Sequence, residues 1–282
     1  MEKTMKTSGA ETLSVSANIF VGQTEAPILI RPFISSMTKS ELMAIMVGGF
    51  ATVAGSVMAL YVSWLNNIPN IAGHLLAASV MSAPAALVIA KIIYPETEIS
   101  ETAEGEIKLS KVSDEGNFLE ALGNGASDGM KLAINIAAML IAFISVIALF
   151  NWLLGLVSFG GITLSIELIL GYLFMPLAFL MGAPWSEAQT LGSLMGQKLV
   201  LTEFIAYGNL ATLGNDISVR TATIAAYALC GFANFASIGI QLGGIGSIAP
   251  ERKKDLSKLV TKAMFGGALA SWLTATIAGI LI

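Results

Sequence analysis

The chain has 282 residues, 55% of them hydrophobic and only 12% charged, with a mean hydropathy of +0.77. Soluble domains carry roughly 25% charged residues, so this composition excludes an ordinary water-soluble protein and points to one embedded in lipid. The formal net charge of −4 argues against a nucleic-acid partner, and a single Cys230 with a single His74 excludes an internal disulfide, a His-rich metal cluster and a Cys/His catalytic pair. Both of these isolated residues are expected to be structural.

In chain order, Met1 to Val15 mixes charge, Gly and Ser and lacks the apolar core of a cleavable signal peptide. Gly9 to Phe33 holds two short apolar runs around Gly22-Gln23-Thr24-Glu25, too short to span and hence read as a re-entrant hairpin. Leu42 to Leu65 and Ala72 to Ala90 are uncharged and long enough to cross a bilayer, the second being stopped by Pro95. Tyr94 to Gly129 is an acidic loop expected in water. Leu132 to Leu156 reads as a third span, and Ile162 to Gly182, which contains Glu167 and Pro176, as a tilted or interfacial helix. Glu187 to Leu213 repeats the short-run form around Leu201-Thr202-Glu203-Phe204. Thr221 to Leu242 and Ala263 to Ile282 are the last spans. The resulting division is a first re-entrant hairpin (1–36), first-repeat spans (40–93), an acidic cytoplasmic loop (94–129), a scaffold span with an interfacial helix (130–183), a second re-entrant hairpin (184–214) and second-repeat spans (216–282).

An internal repeat decides the architecture. Thr24-Glu25 is followed by the Gly-interrupted span Gly49-Phe50-Ala51-Thr52-Val53-Ala54-Gly55-Ser56, and Thr202-Glu203 by Gly231-Phe232-Ala233-Asn234-Phe235-Ala236-Ser237. Each copy then adds a closing span. With Ile162 to Gly182 not crossing, three crossings separate the hairpins, and an odd number inverts the repeats. Arg252, Lys253, Lys254 and Lys258 between the last two spans mark the cytoplasmic side. Counting back puts Lys3, Lys6, Arg31, Lys39, Lys91, Lys108 and Lys111 on that side too. The predicted fold is therefore an all-α polytopic membrane protein, an inverted repeat of a re-entrant helical hairpin plus two spans, with broken helices at the site and a multi-pass location in the cell membrane.

The hairpin tips carry the chemistry. A carboxylate at membrane depth is costly and marks a substrate or ion path. Gln23 offers donors and an acceptor, Thr24 a hydroxyl, and Glu25 two acceptor oxygens, a set suited to a planar heterocycle. Glu203, Asn234 and Ser237 combine carboxylate, amide and hydroxyl and suit a vicinal diol such as ribose, with Asn234 and Ser237 three apart on one helical face. Gly48-Gly49 and Gly243-Gly244 mark unwinding or close packing, because no strand precedes either as a phosphate loop requires. No residue set suits a membrane-embedded enzyme.

The motifs Gly22-Gln23-Thr24-Glu25-Ala26-Pro27, Gln197-Lys198-Leu199-Val200-Leu201-Thr202-Glu203-Phe204-Ile205-Ala206-Tyr207 and Tyr227-Ala228-Leu229-Cys230-Gly231-Phe232-Ala233-Asn234-Phe235 resemble the concentrative nucleoside transporter family over essentially the whole chain. The resemblance implies cation-coupled nucleoside symport by a homotrimer in lipid, with sodium favoured over a proton and no further cofactor. It implies base contacts from Gln23, Thr24, Glu25 and Val57, and ribose contacts from Glu203, Asn234 and Ser237 with Phe232 beside the substrate. It also implies a sodium site from the side chains of Asn18 and Thr52 and the carbonyls of Val21 and Val53. Two departures stand out: Thr202 where the family usually has Asn, and Thr52 where it commonly has Ser, which keeps the hydroxyl. The family carries about three spans ahead of the first hairpin, whereas this chain begins at the hairpin. The sequence alone therefore leaves open a truncated or split transporter that needs a partner chain for activity and trimer formation. Purine or pyrimidine preference is not readable from the motifs.

Overall fold

The computed structural model describes residues 5, 7–102, 118–156, 158–159 and 162–282. The first short pair is α1 (Gly9–Ala17), a turn, and α2 (Glu25–Leu29), continued by α3 (Arg31–Ile34). α1 starts at a capping box in which Ser8 and Glu11 satisfy each other's backbone N–H groups. α4 (Lys39–Ala51) starts the same way with Thr38 and Glu41. It is followed after three residues by α5 (Gly55–Trp64), and the pair reads as one bilayer-length unit, as does α6 (Ile71–Ile93). α7 (Phe118–Gly155), α8 (Ile166–Leu180), α9 (Trp185–Val200), α10 (Glu203–Leu213), α11 (Val219–Leu229), α12 (Phe235–Ile248) and α13 (Lys253–Leu281) complete the helices. The described strands are only a two-residue antiparallel pair, β1 (Ser158–Phe159) and β2 (Ile162–Thr163). The protein is thus an all-α, multi-pass membrane protein.

The length of α13 makes the inversion visible. Its 29 residues span about 43 Å at 1.5 Å per residue. At its N-terminal end Arg252 donates to the carbonyls of Ile34, Ser35 and Met37 at 3.3, 2.9 and 2.7 Å, at the close of the first hairpin. Beside it Ser35 donates to Glu251 at 2.5 Å and holds that carboxyl below its ordinary range. At the C-terminal end of α13, Arg220 donates to Gly279 O at 2.6 Å, to Ile282 O, and to Gly182 O at 2.9 Å, where the second hairpin begins. The hairpins therefore enter from opposite ends of one helix. Lys91 is at the first of these ends, paired with Glu11 at 2.5 Å and bonded to Ser40, in keeping with the sidedness drawn from charge. Lys3, Lys6, Lys108 and Lys111 lie outside the described residues.

Several boundaries differ from those expected. The acidic segment 94–129 is not loop throughout, because α7 already begins at Phe118; Ala, Leu and Met are good helix formers, and the polarity that suggested a loop is no obstacle to a helix extending beyond lipid. Residues 103–117 lie outside the described set. The basic stretch Arg252 to Lys258 is not a loop either: a 3₁₀ turn (Pro250–Arg252) leads straight into α13. α8 has 15 residues, about 22 Å, short of the roughly 30 Å of a hydrocarbon core. It starts at the Ser165 cap and packs along α9 through small residues. A Cβ on Gly192 would lie 2.5 Å from Gly171 O, and one on Gly196 would lie 2.8 Å from Leu170 Cβ, the close backbone approach that small residues permit between apolar helices. The glycine pairs lie inside α4 and α12, and the breaks come elsewhere.

His74 has a partner that sequence reasoning did not find. Its Nδ1 sits 3.2 Å from Tyr227 OH, and the rings meet edge to face. Cys230 is buried.

Candidate functional site

Two helix breaks meet in the interior. The first is Thr52–Ala54, between α4 and α5, and the second is Cys230–Asn234, between α11 and α12. Broken helices leave N–H and C=O groups without intrahelical partners, and in lipid each must be satisfied. The two breaks satisfy each other in part, since Phe232 N donates to Thr52 O at 3.2 Å. That contact needs a residue without a side chain at 231: Gly231 has φ +134, and a Cβ there would lie 2.7 Å from Phe50 O. α5 has no side-chain cap at Ala54, and its first N–H, on Gly55, donates to Phe20 O of the first hairpin turn at 2.9 Å. α12 is capped by Asn234, whose Oδ1 accepts from Ser237 N at 2.8 Å. The three-residue spacing of Asn234 and Ser237 is thus a capping relation and not a shared helical face.

From these breaks a continuous polar chain runs between the two hairpin tips. Asn234 Nδ2 donates to Glu203 Oε2 at 2.8 Å, and Tyr61 OH to Glu203 Oε1 at 3.4 Å. Gln23 Nε2 donates to Ser237 Oγ at 3.2 Å. Gln241 Nε2 donates to Gln23 Oε1 and to Met46 O, both at 3.1 Å. Gln23, Glu203, Asn234 and Ser237 are all buried. Four of the eight residues expected around a substrate are therefore joined by hydrogen bonds.

The other four are placed differently. Thr24 is buried, and its hydroxyl donates to Glu25 Oε2 at 2.9 Å. Glu25 itself is exposed and stands apart from the chain of bonds. Val57 and Phe232 are half-buried, one on α5 and the other in the second break. Among the residues expected to hold a cation, Asn18, Thr52 and Val53 are buried and Val21 is half-buried. Asn18 stands at the C-terminus of α1 with neither side-chain amide atom hydrogen-bonded among the described residues. It faces α4 at Gly48, where a Cβ would lie 3.7 Å from Asn18 Nδ2. Thr52 donates its hydroxyl hydrogen to the carbonyl of that same Gly48 at 3.2 Å, and its oxygen keeps its lone pairs as acceptors.

Three polar residues of this region were not singled out from sequence. Gln241 lies four residues after Ser237, on the same face of α12, and an amide in an apolar span was the available signal. Tyr61 follows Val57 at the same spacing on α5, but its stacking on Tyr207, with ring centroids 4.1 Å apart, is a long-range contact with no local signature. Lys198 is 1% exposed, and its ammonium donates to Ala228 O at 3.0 Å and to Ser271 Oγ at 2.7 Å. It ties the second hairpin to the last turn of α11 and to α13, with a cation set against a helix C-terminus.

The chain is also similar to known proteins along its length. Residues 74–279 match the family described as "Na+ dependent nucleoside transporter C-terminus", and residues 1–68 match one described as "Nucleoside recognition". The whole chain aligns with the uncharacterized transporter YutK of Bacillus subtilis at 48% identity, covering 69% of that protein. It also aligns with the sodium/nucleoside cotransporter 1 of Rattus norvegicus at 46% identity, covering 45% of it. The chain thus spans less than half of the rat protein. Among solved structures, CNTnw in an inward-facing substrate-bound state superposes with a TM-score of 0.81 at 44% identity over 99% of this chain and 66% of that one.

Proposed function

Since the chain belongs to the sodium-dependent, or concentrative, nucleoside transporter family, we propose that it binds a nucleoside between its two hairpin tips and moves it across the membrane with a coupled cation. The observation that carries this reading is the buried chain Gln23–Ser237–Asn234–Glu203, which joins both tips to the second helix break. An ionised carboxylate only accepts hydrogen bonds, at about four lone-pair positions. Asn234 and Tyr61 each bond one oxygen of Glu203, and the pair of adjacent acceptor oxygens matches the two hydroxyls of a ribose. Asn234 and Ser237 complete that side, and Phe232 lies along the substrate. Gln23, Thr24, Glu25 and Val57 form the base side.

The coupling ion on this reading is sodium, held by Asn18 and Thr52 through side-chain oxygens and by Val21 and Val53 through carbonyls. An all-oxygen set suits a hard cation. The buried Asn18 amide, without a partner among the described residues, supports this choice over a proton, because a bound cation would give its Oδ1 the missing partner. When bound, the ion would fix the turn between α1 and α2 against the first break.

Transport follows if the hairpins and their broken helices move as a body and expose the site alternately to either side, as inverted repeats permit. Uptake of radiolabelled uridine into proteoliposomes tests the reading. Uptake driven by an inward sodium gradient, lost when choline replaces sodium and lost in Glu203→Ala, is expected. Wild-type rates in that variant would overturn it.

A further inference from the structure

We propose that Gln241 is a specificity-determining positioning residue that fixes which end of the Gln23 amide faces the ligand. This rests on the reading of Gln23 as part of the base side. The two ends of a glutamine amide are told apart only by their hydrogen bonds, and here the bonds settle the matter from a group that cannot reverse. Met46 O is a backbone carbonyl and can only accept. The end of Gln241 that lies 3.1 Å from it is therefore the NH2 group. That same nitrogen lies 3.1 Å from Gln23, so the end of Gln23 facing it must be the acceptor, Oε1. The Gln23 NH2 group is left pointing the other way. One of its hydrogens goes to Ser237 Oγ at 3.2 Å, and the second is available to a ligand.

Gln23 thus meets the base as a donor, and the group it recognises is an acceptor: a ring carbonyl or an unprotonated ring nitrogen. Reversing the Gln23 amide would set its NH2 against the NH2 of Gln241 and lose the bond between them. Gln241 is 0% exposed and keeps its own Oε1 without a partner among the described residues, so the side chain is held by its nitrogen alone. The backbone makes room for the pair. A Cβ on Gly49 would lie 2.7 Å from Gln241 Nε2 and 3.1 Å from Gln23 Cβ, so α4 carries glycine where the two amides cross it.

The test measures binding to the purified full chain of two ligands that share a ribose: uridine, and the C-nucleoside in which a phenyl ring replaces uracil and removes every acceptor. Gln241→Leu is expected to weaken uridine about three- to tenfold, the span of one neutral hydrogen bond, and to leave the phenyl nucleoside unchanged. In a Gln23→Leu background the same change is expected to have no further effect on the uridine preference, because Gln241 acts through Gln23. Gln241→Asn, which retains polarity but is one methylene shorter, is expected to reproduce the loss and serves if the leucine variant does not fold. Equal weakening of both ligands, or full uridine preference in both variants, would overturn the proposal. A wild-type chain that binds neither ligand would instead remove the nucleoside reading, and this proposal with it.

Discussion

The two hairpins share a plan and differ in how far they satisfy themselves. In the second, α9 and α10 are separated by Leu201 and Thr202 alone. Thr202 caps α10 through Ile205 N at 3.3 Å, both oxygens of Glu203 are engaged, and Lys198 bolts the incoming helix to its neighbours. In the first, residues 18–24 separate α1 from α2, a helix of only five residues. Thr24 makes no capping bond, Glu25 is exposed, and the buried Asn18 amide lacks a partner among the described residues. The second tip is thus held in place by bonds to the protein, whereas the first leaves the Asn18 amide without that support among the described residues. On the proposed reading, the second hairpin would be the fixed frame of the site and the first the part that depends on the ion.

Substitutions at matched positions can break that contrast. The largest effect is expected in transport: Glu203→Ala should lower sodium-driven uridine uptake by about 100-fold, since two charge-assisted contacts to the ribose are lost at roughly 1.5 kcal/mol or more each. Retention of more than a third of the wild-type rate would remove Glu203 from the site. Next is stability. Glu203→Ala strands the buried Asn234 amide and Tyr61 hydroxyl and should destabilise the detergent-solubilised protein by about 3 kcal/mol, while Glu25→Ala should leave the Tm where it was. Equal shifts would mean that the tips are equally self-satisfied.

Sodium should stabilise the wild-type protein by about 2.7 kcal/mol at a hundred times its Kd, measured as a Tm increase over choline. Asn18→Ala should abolish that increase, and Thr202→Ala should preserve it. A sodium response that survives Asn18→Ala would move the ion elsewhere. The smallest expected effect is local: Thr202→Ala should cost about 1 kcal/mol as a lost cap, and Thr24→Ala much less, because its hydroxyl reaches only the neighbouring carboxylate.

Much of this organisation was legible along the chain, for reasons that differ by element. α6 announced itself because an uncharged run of bilayer length has no other stable state in lipid. The doubled Thr-Glu motif located both tips, because carboxylates are rare in apolar sequence. The helix breaks fall at the two Gly-led motifs read as interrupted spans, at Thr52–Ala54 and Cys230–Asn234, and of the two readings left open for Gly48-Gly49 close packing is the one realised. Gly48 and Gly49 turned out to be packing positions against Val15 and Gln241, and local flexibility does not reveal which glycine a neighbour will press. The early start of α7 was missed since polarity, the signal used for a loop, is equally compatible with a helix extending into water.

What the sequence determined by itself is the membrane environment, the duplicated hairpin plan and the identity of the acids and amides at its tips, because these follow from composition and from motifs in contiguous residues. Tertiary structure alone decided which of those groups meet. It joined Gln23 to Ser237 and Gln241 and brought Tyr61 to Glu203 across more than a hundred residues, while leaving Glu25 apart. The physical reason is that a hydrogen bond between two hairpin tips depends on how both repeats pack around one long helix. No local window of the chain carries that information.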